Sequence, residues 1–442
     1  MAYTKQLVVE VLGRPVGLLA PAEPPKHVFT YFPDTPATHF VSLSMPVRLE
    51  SYVWIEGLHP VFQMNLPEGY QKDILRSKLG SAMPVDDFNL LALTGNRGIG
   101  RFSVHLLDTL SSQESALPRA AILAHADSRQ ALLDALNELE LENISGVMPK
   151  VIASDVAPLL LEPDQKITVR SHDWILKTGR QDTPGIAINE YLCLTLAREM
   201  GLPVPEIELS RDGNVLAVRR FDREEDGTRL GLEDFCALMG MPPYGKYEAT
   251  MEGIAKHLNI WCAESERVSS AKRLIEMLVL NLVVRNADAH AKNYAILYSS
   301  TKDATLAPVF DVVTVGAYPS FANAPFGMSI GGRKAWGLRK ELERFCVERL
   351  NLPAATVTDS LEKAAVGMDK LMPLIGDCAN EFQQFRETGK RMVKLWQEGI
   401  AVTSGLKATS VDVNFSAPHL SEAKKPKKQR KSKKTMNPEK LG

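Results

Sequence analysis

Polar side chains that could perform chemistry are concentrated in one short stretch of the chain, from Asn286 to Asn293. An aspartate, a histidine and a lysine lie between these two asparagines, and the almost wholly apolar run 274–284 precedes them. Such a run is typical of a helix that is buried nearly all round. A polar cluster at the end of a buried helix is costly unless a ligand or a metal uses it. The stretch is therefore the candidate functional site.

The spacing of Asp288 and Asn293 indicates what that chemistry could be. They form D-x-x-x-x-N, the interval between the base and a metal ligand in a kinase catalytic loop. There the aspartate accepts the proton of the substrate hydroxyl, and the asparagine oxygen holds Mg²⁺. A second Mg²⁺-binding aspartate is expected downstream, and Asp311 ends the predicted strand 305–311. The alternative is a capped helix end with Asp and Asn in a turn.

The composition limits the class of protein. A chain of 442 residues suggests two or three domains, or one large two-lobed enzyme. Its hydrophobic content of 45% and net charge of −1 are typical of a soluble globular protein without a general attraction to nucleic acid or membrane. Five scattered cysteines without a C-x-x-C pair argue for a reducing compartment. No bilayer-spanning stretch or signal peptide is recognised, so we expect a cytoplasmic protein.

Two elements upstream could position a nucleotide. Lys177 ends the predicted strand 174–177, and in a kinase-like N-lobe a lysine there contacts the α- and β-phosphates of ATP. Glu190 lies near the start of the predicted helix 187–200. It could orient Lys177, or it could be a surface residue favoured by the helix dipole.

A small-residue loop, 143–150, is a second candidate for phosphate contact. Gly146 would let backbone N–H groups approach an anion, and Lys150 would add charge. The loop is not a Walker A sequence, and by itself it predicts a solvated hairpin equally well. The predicted strand 215–222 would lead into a hinge whose backbone, at residues 219–221, binds the adenine edge.

These motifs, taken in chain order, resemble the HipA family of serine/threonine kinases, the toxins of bacterial type II toxin–antitoxin systems. The resemblance covers roughly residues 5–400. It implies an α+β, two-lobed protein-kinase-like fold. The expected parts are a β-rich N-terminal subdomain (1–110), a kinase N-lobe (111–225), a mainly helical C-lobe (226–405) and a basic tail (406–442). The matching segments are 42–46, 65–68, 143–150, 175–177, 189–191, 220–223, 286–293 and 309–311.

The resemblance also implies roles for individual residues. Asp288 would be the catalytic base, and Asn293 and Asp311 would hold Mg²⁺. The residues expected to contact ATP are Ser145, Gly146, Val147, Met148, Pro149, Lys150, Lys177, Arg219, Arg220, Phe221, His290, Ala291, Lys292, Asn293, Phe310 and Asp311.

The family's known biology implies partners as well. Its targets include aminoacyl-tRNA synthetases, whose phosphorylation halts translation and growth. Its usual partner is a small HipB-like helix-turn-helix antitoxin that binds operator DNA. Two other functions stay open: a kinase-fold corepressor that acts through the antitoxin, and a small-molecule phosphotransferase. The second usually has a His-Gly-Asp order, which is replaced here by Asn286-Ala287-Asp288.

Three departures from the family pattern stand out. Asn143 occupies the place of a serine that is often autophosphorylated, which leaves Ser145 as the autophosphorylation candidate. Met148 replaces a frequent glutamine, and Ala289 replaces a common glycine. The lysine-rich segment 424–434 lies outside the resemblance; its composition favours disorder, with a solvated tail and a nucleic-acid contact both open.

Overall fold

The N-terminal part of the computed structural model is an antiparallel sheet covered by short helices. Leu12 and Gly13, both with positive φ (53° and 77°), form the two-residue turn between the first two strands, as a type I′ hairpin requires. The strand order is β4-β3-β2-β1-β5. The elements are β1 (Leu7–Val11), β2 (Arg14–Pro21), β3 (His27–Tyr31), β4 (Tyr52–Trp54), α1 (Pro60–Gln63), α2 (Gly69–Leu79), α3 (Asp87–Thr94) and β5 (Phe102–Leu106).

A second, four-stranded sheet follows, in the order β6-β7-β9-β8 with antiparallel pairing throughout. The helix that follows β7 ends at Glu199, and Gly201 lies just beyond it with a φ of 81°, the left-handed conformation favoured after a helix. The elements are α4 (Arg119–Ala124), α5 (Ser128–Val147), β6 (Ile167–Arg170), β7 (Trp174–Thr178), α6 (Ile186–Glu199), β8 (Ile207–Leu209) and β9 (Val215–Arg219).

The remainder of the chain is mainly helical around one apolar core. The predicted buried run lies in a helix whose residues from 274 to 283 are all buried. A small sheet in the order β10-β11-β12 lies beside it. The elements are β10 (Gly231–Asp234), α7 (Phe235–Leu238), α8 (Met251–Trp261), α9 (Arg267–Val283), β11 (Ala295–Tyr298), β12 (Thr305–Leu306), α10 (Arg339–Leu350), α11 (Ala355–Glu381) and α12 (Arg386–Ser404).

The structure describes residues 6–67, 69–79, 85–107, 118–147, 167–170, 173–180 and 182–405, together with Val413 and Phe415. Within these ranges, none of the helices combines the length and the apolar character needed to cross a bilayer.

After residue 231 the sequence pattern predicts helices over 232–239, 252–264, 270–285, 337–350, 357–371 and 376–403. The first and the last two of these differ from the structure. The predicted helix 232–239 is split, because residues 231–234 pair with β11 before α7 begins. The gap predicted between 357–371 and 376–403 is absent, because α11 runs through Pro373 to Glu381, and the break lies instead between Glu381 and Arg386. Buried neighbours on both sides of the proline, Met372 and Ile375, explain why tertiary packing offsets the backbone hydrogen bond that proline cannot donate.

The prediction of a loop over 143–150 was wrong for residues 143–147, because α5 continues to Val147. The preceding run 138–142, Glu-Leu-Glu-Leu-Glu, consists of strong helix formers, and helix propagation adds one hydrogen bond for each residue fixed. Residues 148–150 lie outside the described residues. The structure therefore gives the backbone of Ser145, Gly146 and Val147 and nothing of Met148, Pro149 and Lys150.

A buried ion pair joins the N-terminal sheet to the second one. Arg220 donates from Nε and Nη2 to the two carboxylate oxygens of Asp222, at 2.9 and 2.7 Å. Across the boundary, Gly100 N–H donates to Asp222 at 2.8 Å, and Arg220 donates to the Gly98 carbonyl at 2.9 Å. Burial would raise the pKa of Asp222, but Arg220, Arg223 and the Gly100 N–H hold it well below its ordinary value.

Replacing Asp222 with alanine is expected to lower the free energy of unfolding by about 3–5 kcal/mol, because Arg220 would keep a buried charge without its carboxylate. Denaturation in urea at neutral pH measures the loss. The matched control is Asp34→Ala, which removes the exposed partner of Arg14 and should cost at most about 1 kcal/mol. Equal losses in the two variants would contradict the structural role of the buried pair.

Candidate active site

A cleft of about 410 Å³ lies where the three parts of the fold meet. Nearly all predicted site residues whose side chains the structure describes line it. Ala291 does not: it is buried, and its N–H donates to the Lys246 carbonyl at 3.2 Å. The predicted residues on the cleft wall are Lys177, Arg219, Arg220, Phe221, Asp288, His290, Lys292, Asn293, Phe310 and Asp311.

The loop after α9 places Asp288 at the cleft. Arg285, in the left-handed conformation (φ 56°), turns the chain away from the helix axis. The buried Asn286 then donates to Asn281 Oδ1 at 2.7 Å and accepts from the Asp288 N–H at 3.1 Å. The loop is thus held by amide hydrogen bonds, while the Asp288 side chain stays 46% exposed and accessible to a substrate.

Asn293 and Asp311 meet at the other side of the same loop. Asn293 Nδ2 donates to the Asp288 carbonyl at 2.9 Å and to the Asp311 carbonyl at 3.4 Å. The amide nitrogen is thereby engaged, and no hydrogen bond to the Asn293 Oδ1 is recorded within the described ranges. That oxygen and the Asp311 carboxylate, both at the cleft wall, are the ligand types that Mg²⁺ prefers. The residues present therefore fit the predicted metal.

The prediction that Asp311 ends a strand was wrong. Strand β12 stops at Leu306, and Asp311 lies five residues further, in the left-handed conformation with φ 56°. The chain leaves the sheet at Pro308, which cannot donate a hydrogen bond to the ladder.

Lys177 lies between two carboxylates. Its Nζ contacts Glu190 Oε1 at 2.5 Å and Asp311 Oδ1 at 2.9 Å. Glu190 is 1% exposed, so the alternative that it is a surface residue was wrong. The contact between Lys177 and Glu190 joins β7 to α6. Asp311 in turn accepts at its carbonyl from Asn293, in the loop that carries Asp288.

One part of the cleft wall is apolar. The rings of Phe221 and Phe310 lie 5.7 Å apart at 39°, with Ile175 and Val218 beside them. The two neighbouring arginines are engaged elsewhere: Arg219 pairs with Glu206, and Arg220 with Asp222. An aromatic ligand would therefore meet apolar side chains and hinge backbone there.

Two aromatic side chains, those of His290 and Tyr247, lie beside the Asp288 carboxylate. His290 Nε2 lies 3.7 Å from Asp288 Oδ1, and burial lowers the pKa of His290 to about 4 despite the nearby carboxylate. The imidazole is therefore neutral near pH 7. The hydroxyl of Tyr247 donates to Asp288 Oδ1. Nothing in the sequence pattern signalled Tyr247, because it belongs to an irregular segment 41 positions before Asp288.

The sequence patterns gave no sign of the part of the cleft wall formed by the N-terminal subdomain, by Asp222, by residues of β10 and β11, and by the segment after α7. Pro67 and Asp222 stood in segments singled out for their family resemblance, 65–68 and 220–223, but no local pattern placed either residue at the cleft. The missed wall residues are Met64, Pro67, Gly69, Gln71, Ile99, Asp222, Leu232, Asp234, Lys246 and Ala295.

Two models of known protein families match the chain. A family model described as HipA-like C-terminal domain matches residues 143–372, more than half of the chain. A model described as HipA N-terminal domain matches residues 7–105. The chain belongs to the HipA family. The family predicted from the sequence motifs is thereby confirmed.

Individual relatives agree with this assignment. The chain is 31% identical over 318 residues to "Putative kinase Y4mE" of Sinorhizobium fredii, covering 66% of this chain and 72% of that protein. It is 28% identical over 155 residues to "Serine/threonine-protein kinase toxin HipA" of Shewanella oneidensis, covering 31% of this chain and 36% of that toxin.

Among solved structures, the chain is similar to one from the complex of HipA, HipB and operator DNA of Shewanella oneidensis MR-1. The TM-score is 0.65 at 18% identity, covering 90% of this chain and 98% of that chain. At this identity the similarity concerns the fold alone. It confirms the predicted α+β HipA-like fold with a mainly helical C-terminal part.

Proposed function

We propose that this HipA-family protein is an ATP-dependent serine/threonine protein kinase. The observation that carries the proposal is the convergence of Lys177, Asp288, Asn293 and Asp311 on one cleft, together with the buried contact between Lys177 and Glu190. Lys177 and Asp311 are 134 positions apart along the chain, and a purely structural role does not require them to meet beside an apolar pocket.

In this proposal the apolar part of the cleft wall, around Phe221 and Phe310, receives the adenine ring. Lys177, oriented by Glu190, contacts the phosphates, and His290, Ala291 and Lys292 flank the nucleotide. Asn293 and Asp311 would hold Mg²⁺, which neutralises charge on the phosphates when bound. With two protein ligands, such an ion depends on phosphate and water for its remaining ligands, which is the usual habit of Mg²⁺. Residues 145–150 would cover the phosphates, a role that the described residues do not test.

Asp288 would act as the catalytic base. Its exposed carboxylate can accept the proton of a serine or threonine hydroxyl while the oxygen attacks the γ-phosphorus. The neutral imidazole of His290 limits repulsion of the cationic Lys177 and of a metal, while the hydrogen-bonded loop holds the carboxylate in place. Catalysis would thus consist of positioning and electrostatic stabilisation.

We further propose a bacterial toxin whose target is a translation protein such as an aminoacyl-tRNA synthetase, with Ser145 as an autophosphorylation site. A HipB-like antitoxin, bound to operator DNA, would be its partner. The antitoxin proposal is supported by the similar Shewanella chain, which comes from a complex with HipB and operator DNA. The same observation favours a second candidate function, a corepressor that acts through the antitoxin.

Incubation of the full chain with γ-labelled ATP, Mg²⁺ and a bacterial lysate tests the proposal. We expect label on serine or threonine of lysate proteins, lost when EDTA removes the divalent metal. Label in a small molecule instead would identify a small-molecule phosphotransferase. Absence of transferred label, with the protein folded and able to bind nucleotide, would favour the corepressor.

A further inference from the structure

Tyr247 holds a position that the proposed reaction leaves unexplained. Its hydroxyl donates to Asp288 Oδ1, and its ring lies edge-on to His290 with the centroids 5.1 Å apart. Under the proposed function, this carboxylate receives the proton of the acceptor hydroxyl. A phenol that donates to it therefore occupies the place of a substrate hydroxyl.

The backbone holds Tyr247 in this place from both sides. The carbonyl of Lys246 accepts from the Ala291 N–H, in the loop that carries Asp288, at 3.2 Å. The carbonyl of Tyr247 itself accepts from Lys334 Nζ at 2.7 Å. The residue remains 39% exposed, so the phenol is both anchored beside the cleft and accessible.

The chemistry of the pair is that of a nucleophile and its base. Burial and the charge of Asp288 raise the pKa of Tyr247 above its ordinary value, so the phenol keeps its proton at neutral pH. A protonated hydroxyl needs a base within hydrogen-bond reach before it can attack. The base that Tyr247 touches is the one proposed for the protein substrate.

The surroundings also suit a phosphorylated product. A phosphate on Tyr247 would bring close to two negative charges at neutral pH. Lys246 Nζ lies 5.1 Å from the centre of the Tyr247 ring, and Lys334 contacts its backbone. Two cationic side chains thus lie against this residue, and their charges offset part of the added negative charge.

We propose that Tyr247 is an intramolecular phosphoryl acceptor, so that the chain phosphorylates its own tyrosine as well as other proteins. This inference rests on the proposed kinase function. The phenol oxygen forms a bond to the γ-phosphorus of MgATP, and the bond from that phosphorus to the β,γ-bridging oxygen breaks. ADP leaves with the electron pair, and the phenol proton passes to Asp288.

Phosphosite mapping of the full chain after incubation with MgATP tests the inference. We expect phosphate on Tyr247 in the wild-type protein and none there in Asp288→Asn. The fraction of Tyr247 modified per minute should stay constant over a ten-fold range of protein concentration, because the reaction is intramolecular. Tyr247→Phe, which keeps the ring against His290, should lose the phosphotyrosine.

Tyr244→Phe is the matched control, since Tyr244 lies in the same segment but is 79% exposed; phosphate on Tyr247 should persist in it. Phosphate on lysate proteins or on serine, with none on Tyr247, would overturn this inference and leave the kinase proposal intact. A rate that grows with protein concentration would overturn the intramolecular route. No transfer to any acceptor would overturn both proposals.

Discussion

Replacing Asp288 with asparagine is expected to lower phosphoryl transfer to protein substrates about a thousand-fold, the usual contribution of a positioned general base. The amide keeps an acceptor oxygen for Tyr247 but cannot take up a proton from a hydroxyl. Because the Asp288 side chain is half exposed, the fold should tolerate the change. Initial rates with γ-labelled ATP measure the loss, and binding of a fluorescent nucleotide should change less than about three-fold if the effect lies in the chemical step.

The matched control for this variant is Asp369→Asn, which neutralises an exposed carboxylate on α11 and should leave transfer unchanged. A different substitution at the same residue, Asp288→Ala, separates the two candidate functions in cells. Asp288→Ala should abolish growth inhibition while antitoxin binding persists. A variant as toxic as the wild type would exclude phosphoryl transfer as the cause of toxicity.

Replacing Lys177 with methionine is expected to reduce both stability and activity. Glu190 would keep a carboxylate buried at 1% exposure without its cation, which costs about 3–5 kcal/mol of unfolding free energy. Phosphoryl transfer should fall on the order of a hundred-fold, because a positive charge near the phosphates is lost. Urea denaturation and initial rates measure the two effects separately.

A double variant distinguishes the structural effect from the chemical one. Lys177→Met with Glu190→Leu also removes the buried carboxylate that has lost its lysine, and it should recover most of the stability, because well-packed apolar residues often replace a buried ion pair at little cost. Activity should stay low. Recovery of activity together with stability would show that Lys177 acts only through folding. The exposed pair of Lys370 and Glu199 is the control, and Lys370→Met should cost at most about 1 kcal/mol.

Local sequence patterns predicted the elements that carry the candidate site. The apolar run before Asp288 predicted α9, whose residues from 274 to 283 are buried. The apolar pattern around Glu190 predicted α6, and Gly201 marked where that helix stops. Lys177 was placed at the end of a strand by the apolar residues before it. These predictions succeeded because helix and strand periodicity depend on neighbours a few residues apart.

Other features depend on residues that are distant along the chain. Glu233, predicted to be helical, lies in β10 and accepts hydrogen bonds from Ser42 Oγ at 2.5 Å and from the hydroxyl of Tyr298 at 2.6 Å. Burial raises the pKa of Glu233 despite these donors. A contact across 191 positions has no local signature, so sequence reasoning could not place the N-terminal subdomain against the C-lobe or on the cleft wall.

By itself, the sequence determined which residue types could perform phosphoryl chemistry, at what spacing, and, through family-like motifs, which fold would carry them. Only the tertiary structure decided that Glu190 is buried on Lys177, that Asp311 reaches the same lysine from an irregular segment, and that Tyr247 donates to Asp288. The physical reason is that spacing constrains atoms within one helix turn or strand. Distances between segments arise from how whole elements pack and where their buried charges find partners.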